Sequence, residues 1–127
     1  MDMNMANPFT RVDTVIVRVP DLDKVRKWYE EKLGFEAGFG GKKERIVAFK
    51  TGGETSLTIY ELKPGEKKNP GQIPSSYPIF YAPDIAKAHQ HLTDREVKVG
   101  PIEGDPKDTQ WFSFWDLDQN LLEVCHW

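Results

Sequence analysis

Two glutamates close two apolar runs of this chain at matching places. Glu61 lies in Tyr60-Glu61-Leu62, and Glu123, 62 residues later, lies in Leu122-Glu123-Val124. Carboxylates can ligate a hard cation. Brought into one concave site without a metal they repel each other, which raises at least one pKa and supplies a general base or acid. Softer donors are scarce. His89 and His91 are two apart on an expected helix, roughly 200° around its axis, so they cannot share an ion. His126, three residues beyond Glu123 on one strand, faces the other way. All three read as surface or packing residues. Cys125 is the single cysteine, which excludes an internal disulfide and a cysteine metal cluster; in an apolar strand it reads as a buried thiol.

The glutamates are part of a larger echo. Val19-Pro20-Asp21-Leu22 opens one amphipathic stretch and Ala82-Pro83-Asp84-Ile85 opens another, 63 residues later. Residues 12–19 are rich in β-branched side chains and predict a strand with Thr14, Ile16 and Arg18 on one face and Val15, Val17 and Val19 on the other. A helix follows, with Asp21 as N-cap, Leu22, Val25, Trp28, Tyr29 and Leu33 at helical spacing, and Gly34 as its stop. Strands are expected over 35–39, 45–50 and 56–62, and a Pro- and Gly-rich linker over 63–76. The second half repeats the order: a strand over 77–82, a helix over 84–94, and strands over 97–99, 111–115 and 121–127.

The chain has 127 residues, 39% apolar and 12% aromatic, with a formal charge of −3. That content builds one core of ordinary size. It offers no basic block for nucleic acid and no run near the ~18 apolar residues of a membrane span. Met1-Asp2-Met3-Asn4 lacks the pattern of a secretory leader, so a cytoplasmic protein is expected.

Val19-Pro20-Asp21-Leu22, Trp28-Tyr29 with Lys32-Leu33-Gly34-Phe35, and residues 114–123 (FWDLDQNLLE) resemble the vicinal oxygen chelate superfamily, which includes glyoxalase I, bleomycin-resistance proteins and extradiol dioxygenases. The last stretch is similar to the family's F.DPDGN.IEL ending, with Leu117 for Pro and Gln119 for Gly. The resemblance covers the whole chain. It implies an α+β fold of two tandem βαβββ modules forming a curved mixed-sheet cleft. Residues 1–127 would be a single domain, with module 1 at about 9–62, the linker at 63–76 and module 2 at about 77–127. It further implies a homodimer and a small-molecule ligand.

The family's four metal positions, carried over, fall on Thr14, Glu61, Tyr77 and Glu123. Only the glutamates are ligands of the usual kind, so a divalent metal and no metal are both compatible with the set. Glu61 and Glu123 are the catalytic candidates. Arg18, sharing the Thr14 face, is a candidate to neutralise a glutamate or bind an anionic group. Tyr77, Tyr81, Ile59, Leu57, Trp111 or Phe112, and Trp127 make up an aromatic lining suited to a flat or apolar molecule. Two functions follow from the resemblance. One is a lyase, isomerase or dioxygenase with a degenerate metal site; the other is a non-catalytic protein that sequesters a drug or metabolite, of the bleomycin-resistance type.

Overall fold

The computed structural model describes residues 7, 11–67 and 76–127. Strand β1 (Thr14–Val19) passes into helix α1 (Leu22–Trp28), where the Asp21 carboxylate accepts the Lys24 N–H at 3.2 Å and caps the first turn. The helix then widens into a π-helical turn, Tyr29–Leu33, instead of running on as the regular helix that the spacing predicts. It ends at Gly34 with φ 72°, a left-handed stop that glycine adopts without strain. Strands β2 (Glu36–Gly41), β3 (Ile46–Lys50) and β4 (Ser56–Glu61) complete the first module. Its sheet has the order β1-β4-β3-β2, with β1 and β4 parallel.

The second module repeats the plan with strand β5 (Ile79–Tyr81), helix α2 (Ile85–Asp94), and strands β6 (Lys98–Val99), β7 (Glu103–Gly104), β8 (Gln110–Trp115) and β9 (Leu121–His126). Asp84 caps α2 by accepting the Lys87 N–H at 3.1 Å. The sheet order is β5-β9-β8-β6, with β5 parallel to β9 and the two-residue β7 paired to β8. Nothing in the apolar pattern announces β7, which has no apolar residue. Of the expected linker, residues 68–75 lie outside the described residues.

Each sheet buries one face and leaves the other open, because side chains alternate along a strand. In the first module Val17 and Val19 on β1, Leu57 and Ile59 on β4, and Val47 and Phe49 on β3 are buried beneath Leu22, Val25 and Tyr29. In the second, Phe112, Phe114, Leu122 and Val124 are buried beneath Ile85 and Leu92. The all-valine face of β1 therefore packs under its helix, as alternation predicts. Leu57, Ile59 and Phe112, expected in an aromatic cleft lining, are core residues instead: they stand on the helix-covered side of their strands.

A buried carboxylate joins the two modules. Asp116, in the turn between β8 and β9, accepts from the N–H groups of Asp118 and Asn120 at 2.8 and 2.9 Å and from Asn120 Nδ2 at 2.9 Å. It also accepts the Tyr29 hydroxyl at 2.7 Å from the π-helical turn of the first module. Phe35 meets Phe80 edge to face across the same seam, and Asn120 Nδ2 donates to the Arg18 carbonyl at 3.4 Å.

In that turn Gln119 adopts φ 64°, a left-handed conformation that crowds any Cβ. Gln119→Gly should therefore raise stability by about 0.5–1 kcal/mol, the relief of crowding outweighing the greater freedom of the unfolded chain. Chemical denaturation reads this as a higher midpoint at unchanged slope. A lower midpoint would show that the glutamine side chain contributes contacts of its own.

Candidate functional site

The open face of the first sheet is built by the β1–β4 pairing, which sets Thr14 beside Ser56, Ile16 beside Thr58 and Arg18 beside Tyr60. Three hydroxyls gather at one end. Ser56 Oγ donates to Thr14 Oγ1 at 2.7 Å, and Thr14 Oγ1 shares a hydrogen with Thr58 Oγ1 at 2.7 Å. At the other end the Arg18 guanidinium lies over the Tyr60 ring, 4.1 Å from its centroid, and its Nη2 donates to Glu66 Oε1 at 2.7 Å. The Glu66 carboxyl, also accepting the Lys63 N–H at 2.6 Å, is held below the usual carboxylate range first by that backbone bond and then by Arg18. Arg18 thus faces outward as expected, but its carboxylate partner is Glu66, at the start of the expected linker.

Glu61 does not share this face. It pairs in register with buried Val19, so its side chain leaves the sheet on the helix side. There Oε2 accepts the Leu22 N–H at 3.0 Å, satisfying one of the orphan donors that begin every helix. The assignment of Glu61 beside Thr14 as a ligand or base is corrected on this ground: alternation puts residues of opposite parity on opposite faces. The residue that ends β4 on the Thr14 face is Tyr60.

The open face of the second sheet holds Glu123 between Ile79 on β5 and Ser113 on β8, with the Tyr81–Cys125–Trp111 row beside it. Trp111 is the open member of the Trp111 or Phe112 alternative. Tyr81 donates its hydroxyl to the Trp127 carbonyl at 3.1 Å and meets the Trp127 ring edge to face. Tyr77 precedes β5 and is exposed. Cys125 is half-buried on this face instead of lying deep in the core. The histidines lie elsewhere. His89 contacts the Gly100 carbonyl at 2.9 Å and the Phe112 ring, and His126 contacts the Ala82 carbonyl at 2.8 Å.

Burial, and secondly the charge of Glu103, push the Glu123 carboxyl above its ordinary value. Glu103 stands on the same side of the sheet, opposite Trp111. Sequence reasoning passed over it because β7 carries no apolar signal. Since the folded chain prefers Glu123 protonated, ionisation withdraws stability as pH rises from about 4.3 through the raised folded value. Glu123→Gln should accordingly melt at or above the wild-type temperature at pH 8, the difference closing toward pH 4. A variant that melts lower at pH 8 would reveal a stabilising partner for the carboxylate.

Thr14, Tyr60, Tyr77 and Glu123 give one carboxylate, one aliphatic hydroxyl and two phenols, and among the described residues no three His, Cys, Asp or Glu side chains form a group able to hold a metal. This donor set does not fit a resident transition metal, which is normally held by imidazole or thiolate with carboxylate.

Among solved structures, a glyoxalase family protein from Bacillus anthracis superposes with a TM-score of 0.79 at 24% identity, covering 96% of this chain and 98% of its own. TnmS3, an antibiotic binding protein from Streptomyces sp. CB03234, has a TM-score of 0.74 at 21% identity, covering 95% and 98% of the two chains. Lactoylglutathione lyase from Agrobacterium tumefaciens has 0.73 at 20% identity, covering 94% and 96%. At such identities the likeness concerns the fold. No curated protein sequence matches the chain significantly. The sequence profile of the Glyoxalase/Bleomycin resistance protein/Dioxygenase superfamily matches residues 11–124, and the chain belongs to that superfamily.

Proposed function

We propose that the protein binds a small, flat, oxygenated molecule on its open sheet faces, without a resident metal, as a sequestering protein does. The observation that carries this reading is the aromatic face around Glu123: Trp111 and Tyr81 are about half exposed on strands whose other face is fully packed. Rings held by a sheet lose little freedom when they stack on a ligand. Ser113 and Glu123, between them, are the polar groups that orient it. Arg18 and the Thr14 hydroxyl cluster offer an anion- and oxygen-binding counterpart on the first sheet. The TnmS3 likeness agrees with binding as the role, the lyase likeness with turnover.

The raised Glu123 carboxyl supports a second reading, metal-free proton transfer. A carboxyl that titrates closer to neutrality is a better general acid or base, and Glu123 would give or take a proton at the ligand carbon or oxygen beside it. Both readings use a two-fold homodimer. Ile16, Phe39, Ile79, Tyr81 and Trp127 are 48, 64, 52, 51 and 76% exposed, a set of apolar side chains that a second copy would cover.

The test is titration with 2-hydroxy-1,4-naphthoquinone, followed by tryptophan quenching and by product analysis. Saturable binding, weakened at least tenfold in Trp111→Ala, with the probe recovered unchanged, is expected for sequestration. Conversion that stops in Glu123→Gln while binding persists selects proton transfer. Stoichiometric Ni or Zn that raises the melting temperature, and is lost in Glu123→Ala, overturns the metal-free reading. Light scattering that gives a monomer overturns the dimer.

A further inference from the structure

A cavity of about 370 Å³ lies on the opposite side of the second sheet from Glu123, at the seam between the modules. Its floor is Phe114 and Val124, which point away from the open face. Its wall is Leu33 and Phe35, the end of the π-helical turn and the residue after its glycine stop. The space exists because α2 presents Ala88 toward the floor, where a larger side chain would fill it. The volume is within the ~300–1,000 Å³ of small-molecule sites.

The mouth has its own chemistry. Lys87 and His91 both line it, and residues four apart on a helix lie one above the other on one face. Among the described residues that line the cavity there is no acidic side chain. The nearest carboxylate along α2, Asp84, is committed to capping the Lys87 N–H. An apolar chamber of this kind, with cationic and N–H donors only at its rim, complements a molecule with an apolar body and an anionic head.

We propose that this seam cavity is a second binding site, for a medium-chain or aryl carboxylate whose body lies on Phe114 and Val124 and whose carboxylate meets Lys87 and His91. The site is independent of the open faces, because the second sheet separates it from Glu123.

Calorimetric titration with decanoate tests it, with 1-decanol as the uncharged control. The expected result is saturable binding of one decanoate per chain, with decanol at least tenfold weaker. Lys87→Glu should weaken decanoate at least tenfold and leave decanol unchanged. Ala88→Leu should abolish both, and Glu123→Gln should bind as the wild type does. Should Ala88→Leu fail to fold by circular dichroism, Lys87→Glu, on the exposed side of α2, still decides the matter. Decanoate binding that is unsaturable, indifferent to Lys87→Glu, or lost in Glu123→Gln overturns the proposal. So does binding that appears only when the protein is diluted to a monomer, which would mean that a second copy fills the cavity.

Discussion

Replacing Asp116 by alanine should destabilise the protein by roughly 3 kcal/mol or more, the largest loss expected from any single polar substitution in this fold. The carboxylate accepts four hydrogen bonds in a buried position, two from backbone N–H groups of its own turn, one from Asn120 Nδ2 and one from Tyr29. Alanine leaves all four donors without it, and an unmet buried donor costs about 1–3 kcal/mol. The losses overlap, since part of the turn can relax toward water. A fall in melting temperature of about 10 °C is the corresponding observation. A drop under a few degrees would mean that the turn and the seam between modules hold without the carboxylate.

Tyr29→Phe separates the seam from the turn. It removes one bond to a charged acceptor, worth about 1.5–3 kcal/mol, and keeps the ring stacked on Phe49. It also carries a pH signature. Burial first, then the charge and hydrogen bond of Asp116 and the charge of Asp118, raise the Tyr29 pKa well above the usual tyrosine value. The neutral phenol's contribution is complete below pH ~10 and is lost as pH rises through the higher folded value. Alkaline denaturation should therefore be shallower in the phenylalanine variant than in the wild type. Parallel alkaline curves would remove Tyr29 from that transition.

The second large effect is expected at Gly104. Its φ is 95°, and an added Cβ would collide with the Thr109 carbonyl oxygen and stand 2.8 Å from Trp111 Cζ3. Gly104→Ala thus combines a left-handed backbone with a backbone clash that only a shift of the β7–β8 turn relieves. A loss of ~2 kcal/mol is expected, since an incompatible φ alone costs about 1–2 kcal/mol. The collision also bears on the open face, because the ring that must yield is Trp111. Tryptophan emission should shift and naphthoquinone binding should weaken together. A variant of wild-type stability with unchanged emission would show that the turn moves without transmitting the strain.

What the sequence disclosed was what repeats locally. The Asp21 and Asp84 caps, the Gly34 stop and the valine and threonine faces of β1 each depend on neighbours a few residues away, and periodicity reveals such relations. Glu61 was misleading for a physical reason. A motif match locates a residue along the strand to within one position, and one position reverses the face. Its actual partner, the Leu22 N–H, is 39 residues away in sequence. Asp116 was visible as part of a family ending, yet its role depends on Tyr29, 87 residues distant. Glu66 could not have been assigned to Arg18 from spacing, since it follows the last strand of its module and returns across the sheet. The open aromatic face was partly legible: Trp111 and Tyr81 belong to it, and Phe112, one residue from Trp111, does not.

Gln119 is one of three non-glycine residues with positive φ; Arg45 and Glu96 stand at 64° and 61° in two other turns. The three sites share no turn, so their effects should sum. Glycine at all of them would then yield about 2 kcal/mol, at roughly 0.5–1 kcal/mol each. The fold consequently keeps an unused margin above its stability threshold, and that margin governs evolvability. A lineage, or an engineer, could replace destabilising positions of the open faces to change what is bound, and restore foldedness at turns that touch no ligand.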